Sequence, residues 1–374
     1  MPEIWLRYGS TDVVLDIKFE NLSSQISSNF QALPEDQVRA AVGSAPVTDN
    51  MLVLSLSSSK AAARAITIVA ESARARGFGI TVDVSPKMAG GLRANLTSLA
   101  GGEAVSINRV DYHSLHERIK KFDSTLFISR VGYDPLFGYA GSPTILVRNF
   151  LPDRMAEAFS ARRDNIPAPG EEGEPLKIAI SSVEDIHATS IELVANGSGI
   201  MGVHTGTIKD AFAKAVVQLR EASVVETDPV KCAIMSASSE SGNHSTLAAG
   251  LNSLWNAIHI VKERGSAILL AESREGLGGG ALQMFIEGRL APEQLAQSPY
   301  IDGLEHLLYM QELRQRYDIG LVSTLPQYYA RTKLGFATYA GMKDVVEKLT
   351  EKHGKNFKAI VLSDADITLL RPKI

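Results

Sequence analysis

Apolar strand-like runs alternate with helix-like segments along most of the chain, and the clearest example spans residues 51 to 84. The continuous apolar run Met51 to Leu56 is followed by the alanine-rich stretch Ala61 to Ala75 and by the alternating run Ile80 to Val84. This order predicts a βαβ unit, because two parallel strands need a long crossover and a helix supplies one. The sequence therefore predicts a parallel or mixed sheet covered by helices.

A second pattern of the same kind begins near Asp228. Its predicted strands are Cys232 to Ser236, Ala267 to Ala271, Ile319 to Ser323 and Ala359 to Leu362, with a helix predicted over Leu247 to Lys262. Upstream of it, the apolar run Leu176 to Ser181 is also predicted as a strand. Two α/β units with a cleft between them are the expected fold class, and such clefts commonly bind ligands.

The length of 374 residues is typical of two domains. We expect an N-terminal α/β domain over residues 1–227 and a C-terminal α/β domain over 228–374, whose last residues could return to the first domain. The segment 165–175, rich in Pro, Gly and Glu, is predicted to be a flexible connector inside the N-terminal domain.

Charge, hydropathy and cysteine content limit the kinds of partner and the cellular compartment that we expect for this protein. The chain has 38 Lys and Arg against 42 Asp and Glu, and no basic run exceeds two residues, so nucleic acid is not an expected partner. No apolar stretch reaches 18 residues and the first residues do not resemble a signal peptide, so no membrane association is expected. The single cysteine, Cys232, lies in an apolar run, which fits a cytoplasmic protein.

Several polar residues at predicted strand ends are candidate site residues. Ser58 and Lys60 follow a strand and begin a helix, where they could bind an anion or cap the helix. His244 lies in a polar loop after a strand, as a general base would, although a cap cluster explains it equally, and His204 is a further candidate. The segment Gly276 to Ala281 matches a dinucleotide-binding fingerprint weakly and is better interpreted as a structural or site-lining loop.

Several stretches together resemble the nickel-dependent lactate racemase family, in that family's order. The segment 265–278 is similar to the family's G-G-x-I-I-L-x-A-E-C-x-E-G-L-G, Trp5 to Gly9 looks like its opening hairpin, and Gly138 to Ser142 looks like its A-G-[FY]-[SG]-G-G loop. The resemblance implies a two-domain α/β protein that holds a nickel-pincer nucleotide on a lysine and racemises 2-hydroxy acids through two histidines.

Within that resemblance, several expected residues are replaced. The catalytic histidine falls on Asp134, the cofactor lysine on Thr144 and the nickel-binding histidine near Ser160, while the family's S-D-x-T-R-P becomes the segment 57–62. The predicted catalytic residues are accordingly Asp134, His204 and His244, and no metal ligands are predicted. The predicted cofactor-binding residues are Ser58, Lys60, Gly138, Tyr139, Gly141, Ser142 and Thr144.

Three functional hypotheses follow. The first is a lactate racemase-like protein that binds a small 2-hydroxy acid or related anionic metabolite between its domains, without the tethered nickel cofactor. The second is an active 2-hydroxy-acid racemase or epimerase, an isomerase that holds a non-covalent nickel-pincer nucleotide. The third is a non-catalytic interaction or regulatory protein on the same fold. A homo-oligomer remains open under all three.

Overall fold

The computed structural model describes residues 3–27, 30–111, 115–237 and 245–373. The strands, in chain order, are β1 (Glu3–Tyr8), β2 (Thr11–Asp16), β3 (Leu22–Ile26), β4 (Met51–Ser55), β5 (Ile80–Val84), β6 (Ile107–Arg109), β7 (Ser124–Arg130), β8 (Gly132–Asp134), β9 (Gly138–Ala140), β10 (Thr189–Asn196), β11 (Gly199–Thr207), β12 (Val224–Thr227), β13 (Val230–Ser236), β14 (Val261–Leu270), β15 (Asp318–Val322), β16 (Ala337–Thr338), β17 (Ala359–Leu362) and β18 (Leu369–Pro372).

Helices follow most of these strands. In chain order they are α1 (Glu35–Gly43), α2 (Lys60–Arg76), α3 (Pro86–Thr97), α4 (Leu115–Ile119), α5 (Ser142–Phe150), α6 (Pro152–Ser160), α7 (Glu174–Ser181), α8 (Ile208–Ser223), α9 (Leu247–Trp255), α10 (Gly280–Ile286), α11 (Leu304–Leu313) and α12 (Met342–His353). Within the described ranges, every helix is too short or too polar to cross a bilayer.

The first sheet has six strands in the order β11-β10-β7-β4-β5-β6. All neighbours are parallel except the β10–β11 hairpin, so the sheet is mixed. The predicted βαβ unit is confirmed: β4 pairs with β5 in parallel, and α2 connects them. Ser59 caps the start of α2 and Gly77, at φ 72°, ends it in a left-handed conformation that favours glycine.

The second sheet also has six strands, in the order β16-β15-β14-β13-β17-β3, and every neighbouring pair is parallel. Its inner strands are continuous apolar runs because helices or the N-terminal hairpin cover both faces. The predicted α/β class with parallel and mixed sheets is confirmed.

The N-terminal residues depart from the predicted domain assignment. The sequence assigns residues 1–227 to one domain, but β3 pairs with β17 at the edge of the second sheet. The β1–β2 hairpin packs its apolar side chains, including Leu6 and Leu15, against Cys232 and Ile268 of that sheet. Burying one face of a short hairpin is its main source of stability, and the second sheet offers the apolar partner.

Two local predictions are wrong. The run predicted as a strand over Leu176 to Ser181 is helix α7, because a short apolar run does not distinguish a strand from a buried helix and Pro175 favours a helix start. The helix predicted over Leu247 to Lys262 ends at Trp255, and β14 already begins at Val261.

The C-terminal residues contact the first half of the chain. Strand β18 pairs in parallel with β12, and Leu369 packs among Tyr133, Tyr139 and Phe212. The polypeptide therefore crosses between the two sheets at both of its described ends.

Candidate functional site

Loops at the carboxyl ends of both sheets enclose a cavity of about 720 Å³, which we call the shared cavity. Its polar lining comes from both halves of the chain: Ser57, Ser58, Lys87, Asn95, Arg130, Ser245, Thr246, Asn252, Arg274, Glu275 and Asp366. Ligands of open α/β sheets bind at this end of the strands, and the volume lies within the usual range for small-molecule sites.

Three helices begin at or beside the shared cavity, each after a parallel strand: α3 and α9 begin on its lining, and α2 begins two residues after the lining residue Ser58. Ser59 caps α2 by accepting from the Ala62 N–H at 3.2 Å, and Thr246 caps α9 by accepting from the Ala249 N–H at 3.4 Å. Helix α3 begins with Pro86, directly before the lining residues Lys87 and Met88. Helix N-termini carry partial positive charge, so the three together favour an anion in the cavity.

Most charged side chains of the lining form an ion pair or a hydrogen bond with a neighbouring residue. Lys87 pairs with Asp302 at 2.9 Å, and Glu275 Oε2 accepts from the Ser245 hydroxyl at 2.6 Å. Arg274 is different: it is exposed on the lining and makes no hydrogen bond or ion pair with any described residue. Its guanidinium is therefore available to a ligand anion.

A buried ion pair joins the two sheets at the cavity. Arg130 ends β7, and its two Nη atoms lie 3.3 and 3.4 Å from Asp366 Oδ2, which follows β17. Arg130 also donates to the Ala195 carbonyl at 3.4 Å. The side chains of Arg130 and Asp366 are 9% and 3% exposed, so the low surrounding dielectric strengthens their attraction.

Ser58 is the predicted site residue that the structure brings to the shared cavity. It lies in the loop between β4 and α2, and its carbonyl accepts from Asn95 Nδ2 at 2.7 Å. Lys60, two residues later, lies outside this lining in a smaller neighbouring pocket.

Asp134 does not line the shared cavity. Its Oδ1 accepts from the N–H groups of Leu136 and Phe137 at 2.8 and 2.9 Å, and its Oδ2 pairs with Arg148 at 2.9 Å. Arg148 also donates to Glu305 Oε1 at 2.5 Å, and thereby links α5 to α11. Asp134 thus holds the turn after β8 and a buried ion network, which leaves its carboxylate poorly placed as a general base.

Thr144, Gly141 and Ser142 form the start of α5. The Thr144 hydroxyl accepts from the Gly141 N–H at 3.0 Å and donates to the Gly141 carbonyl at 3.1 Å. The Ser142 N–H donates to Glu192 Oε1 at 3.1 Å, and Ser190 donates to the same oxygen at 3.0 Å. Burial of Glu192 raises the pKa of its carboxyl to about 7. These residues are buried beneath the helix start and do not line the shared cavity.

Gly138 and Tyr139 are covered by the segment 165–175. The Gly138 carbonyl accepts from the Gly170 N–H at 2.7 Å, and the Tyr139 hydroxyl donates to the Gly170 carbonyl at 3.1 Å. Gly138 has φ 85°, and a Cβ there would overlap the Glu171 carbonyl oxygen. Segment 165–175 is therefore packed on the β8–β9 turn, where only glycine fits at position 138, rather than free as a connector.

The two predicted catalytic histidines cannot be assigned to the cavity. His204 lies on β11, where its Nε2 and Gln218 Oε1 on α8 are 2.6 Å apart, and it is not part of the lining. His244 lies outside the described residues, which resume at Ser245.

Comparison with known proteins finds similar structures but no matching sequence family. No protein-family model and no curated protein matches the sequence. In structure, the chain is similar to the lactate racemase apoprotein from Thermoanaerobacterium thermosaccharolyticum, with a TM-score of 0.78 over 99% of this chain and 100% of that chain, at 13% identity. The fold is lactate racemase-like. A Thermotoga maritima structure from the Northeast Structural Genomics Consortium gives a TM-score of 0.67 over 91% of this chain and 99% of that chain, at 11% identity.

The lactate racemase resemblance implies a nickel nucleotide on a lysine, and the residues to which counting along the family's motifs assigns this group, Thr144 and Ser160, do not fit it. Thr144 is 1% exposed and is used entirely in capping α5, while Ser160 donates to the Ala156 carbonyl on the surface of α6. Among the described residues, no cluster of three His, Cys, Asp or Glu side chains could hold a metal ion.

Sequence reasoning missed most of the charged groups that line the shared cavity. Arg130 is the last residue of the apolar strand β7 and Asp366 follows the apolar strand β17, at the end of each strand where sites form, and this position is a signal that the sequence contains. Arg274 lies inside the segment 265–278 that carries the family resemblance but was not singled out. Their convergence depends on how the two sheets pack, which no local pattern encodes.

Proposed function

We propose that the protein binds a small anionic metabolite, a 2-hydroxy acid or a related acid, in the shared cavity between two α/β domains and without a covalently tethered nickel cofactor. The observation that carries this proposal is Arg274, an exposed guanidinium with no partner among the described residues, on a cavity at or beside which three helices begin.

A carboxylate is the ligand group that this environment favours. A guanidinium can donate two parallel hydrogen bonds to a carboxylate, and helix N-termini add favourable backbone dipoles. The charged residues of the lining are three cations, Lys87, Arg130 and Arg274, and two anions, Glu275 and Asp366. Lys87 pairs with Asp302 and Arg130 pairs with Asp366, so Arg274 is the lining cation that has no partner among the described residues and can pair with a ligand carboxylate.

A hydroxyl next to the carboxylate has a matching acceptor. Asn252, on α9, lines the cavity, and its Oδ1 is buried without a hydrogen-bond partner among the described residues. An unsatisfied buried oxygen costs free energy, so a ligand hydroxyl that donates to it contributes to affinity. This pairing of a cation with an acceptor supports a hydroxy acid over a simple carboxylic acid.

The test is titration calorimetry with D-lactate, L-lactate, glycolate and malate, each compared with its deoxy analogue. Arg274→Gln should weaken binding by roughly 10- to 100-fold, as expected for loss of a hydrogen bond to a charged group. Arg74→Gln is the matched control, because Arg74 is exposed in the last turn of α2, about 20 Å along that helix from the cavity. Absence of binding by all the acids, or equal affinity in Arg274→Gln, would count against the proposal.

A second experiment distinguishes acid binding from racemisation. The protein is produced together with nickel-cofactor biosynthesis enzymes and is then analysed for bound metal, intact mass and interconversion of lactate enantiomers. Acid binding by protein of its calculated mass, without interconversion, is the expected result. Stoichiometric nickel with interconversion would favour a racemase that holds its cofactor without a covalent link.

A further inference from the structure

A second pocket, which we call the side pocket, lies next to the shared cavity and has a volume of about 320 Å³. It is formed between the starts of α1 and α2 and the turn that joins β10 to β11. Arg130 borders both spaces, so the side pocket adjoins the shared cavity without being part of its lining. Its volume lies at the lower end of the range for small-molecule sites.

The walls of the side pocket are held together by close backbone contacts. The Leu33 N–H donates to the Ile200 carbonyl at 2.7 Å, which fixes the segment before α1 against β11. Gly199 has φ 141°, and a Cβ there would lie 2.9 Å from the Ala32 Cβ. The pocket is therefore a feature of the packed fold, and the exposed residue Ala32 is part of its lining.

Apolar side chains dominate the interior of the side pocket. They come from α1, α2, the loop after α3 and strands β10 and β11, and the largest are Leu33, Val38, Leu99 and Ile200. Leu33 and Leu99 are only partly buried. An apolar ligand chain would remove this surface from water, which is favourable.

The cations around the side pocket differ in their pairing. Arg64 is paired with Glu35, and Arg130 is paired with Asp366. Lys60, the first residue of α2, is exposed and makes no ion pair or side-chain hydrogen bond with any described residue. The pocket thus combines an apolar interior with one uncompensated ammonium group at its edge.

We propose that the side pocket binds a monocarboxylate with a short apolar chain, whose carboxylate pairs with Lys60 and whose chain packs against Leu33, Val38, Leu99 and Ile200. Charge complementarity favours a ligand with one negative charge, because Arg64 and Arg130 are already paired with Glu35 and Asp366. The site is separate from the binding proposed for the shared cavity, and it explains why Lys60 is placed away from that cavity.

The test is titration calorimetry of the full chain with propionate, butyrate and hexanoate, with 1-hexanol as the uncharged comparison. Affinity should rise roughly fourfold for each methylene group that becomes buried, and hexanol should bind more weakly than hexanoate. Lys60→Met should weaken hexanoate binding about tenfold, because it removes the paired cation and keeps the apolar stem.

Two further variants locate the site. Ala32→Trp places a large ring at an exposed position of the lining and should prevent hexanoate binding, whereas Arg74→Gln, in the last turn of α2 and outside both cavities, should leave it unchanged. All of these positions are exposed, and circular dichroism checks that each variant is folded. Affinity that does not depend on chain length, hexanoate binding that persists in both Lys60→Met and Ala32→Trp, or binding lost only in Arg274→Gln, the variant of the shared cavity, would each overturn the proposal.

Discussion

Glu192 is a fully buried carboxyl in the first sheet, and its ionisation should control the pH dependence of stability. Its Oε1 accepts from Ser142 and Ser190, whereas its Oε2 is buried without a hydrogen-bond partner among the described residues. Burial raises the pKa of the carboxyl from 4.5 to about 7. The native state therefore binds this proton more tightly than the unfolded state does.

The magnitude follows from the difference between the two pKa values. A shift of about 2.5 units, at 1.36 kcal/mol per unit, corresponds to about 3.4 kcal/mol. A raised native pKa stabilises the fold fully below the unfolded value, near pH 4.5, and this contribution is lost as pH rises through about 7. Above pH 7 the protein holds a buried carboxylate at the cost of that free energy.

Glu192→Gln removes the titration and keeps an acceptor at the Oε1 position. Relative to the parent, the variant should gain up to about 3 kcal/mol of unfolding free energy between pH 5 and pH 8. The measurement is urea unfolding, followed by circular dichroism at pH 5, 6, 7 and 8. Glu221→Gln, on the exposed face of α8, is the control and should show no such gain. If the difference between Glu192→Gln and the parent is constant across this pH range, the reasoning is refuted.

Four other substitutions or treatments test the packing around the site. Arg148→Ala should lower the unfolding free energy by about 3–5 kcal/mol, because it leaves the buried Glu305 carboxylate unpaired, and an unchanged urea midpoint would contradict the ion network. Thr144→Val should cost about 1 kcal/mol by removing the α5 cap, whereas Thr144→Ser should be nearly neutral; equal losses would argue against capping. Gly138→Ala should cost more than about 1–2 kcal/mol, measured by thermal unfolding, since its left-handed backbone and close neighbour exclude a Cβ. Burial raises the pKa of the Cys232 thiol to about 12, so a thiol reagent at pH 8 should react only after urea is added, and rapid native labelling would refute its burial.

The parts of the fold that could be predicted from sequence are those encoded by neighbouring residues. The unit β4-α2-β5 is specified locally, by an apolar run, a serine cap and a glycine at the helix end. The position of β3 could not be predicted, because its pairing with β17 depends on an edge left free by the packing of distant strands. The apolar run of α7 favours a strand in the sequence, because it is too short to show a helical period.

The candidate site was predicted less completely than the fold. Ser58 could be placed at the cavity because it follows a parallel strand directly. Arg130 and Asp366 are 236 residues apart, and only the tertiary structure brings them together. Asp134 and Thr144 come from counting along a family motif, and such counting does not include the hydrogen bonds by which Asp134 holds the turn after β8 and Thr144 caps α5.

The edge strand β3 has a consequence for biosynthesis. The Asn21 side chain donates to the Phe357 carbonyl across 336 residues of sequence, and β3 is complete only when β17 has been made. At about 5–20 residues per second, the ribosome needs roughly 20–70 s to add the intervening chain. During that interval the first sheet can assemble, while the N-terminal hairpin and β3 expose the apolar side chains that later cover the second sheet. The nascent chain is therefore exposed to chaperones and proteases at the hairpin and β3 until β17 has been made.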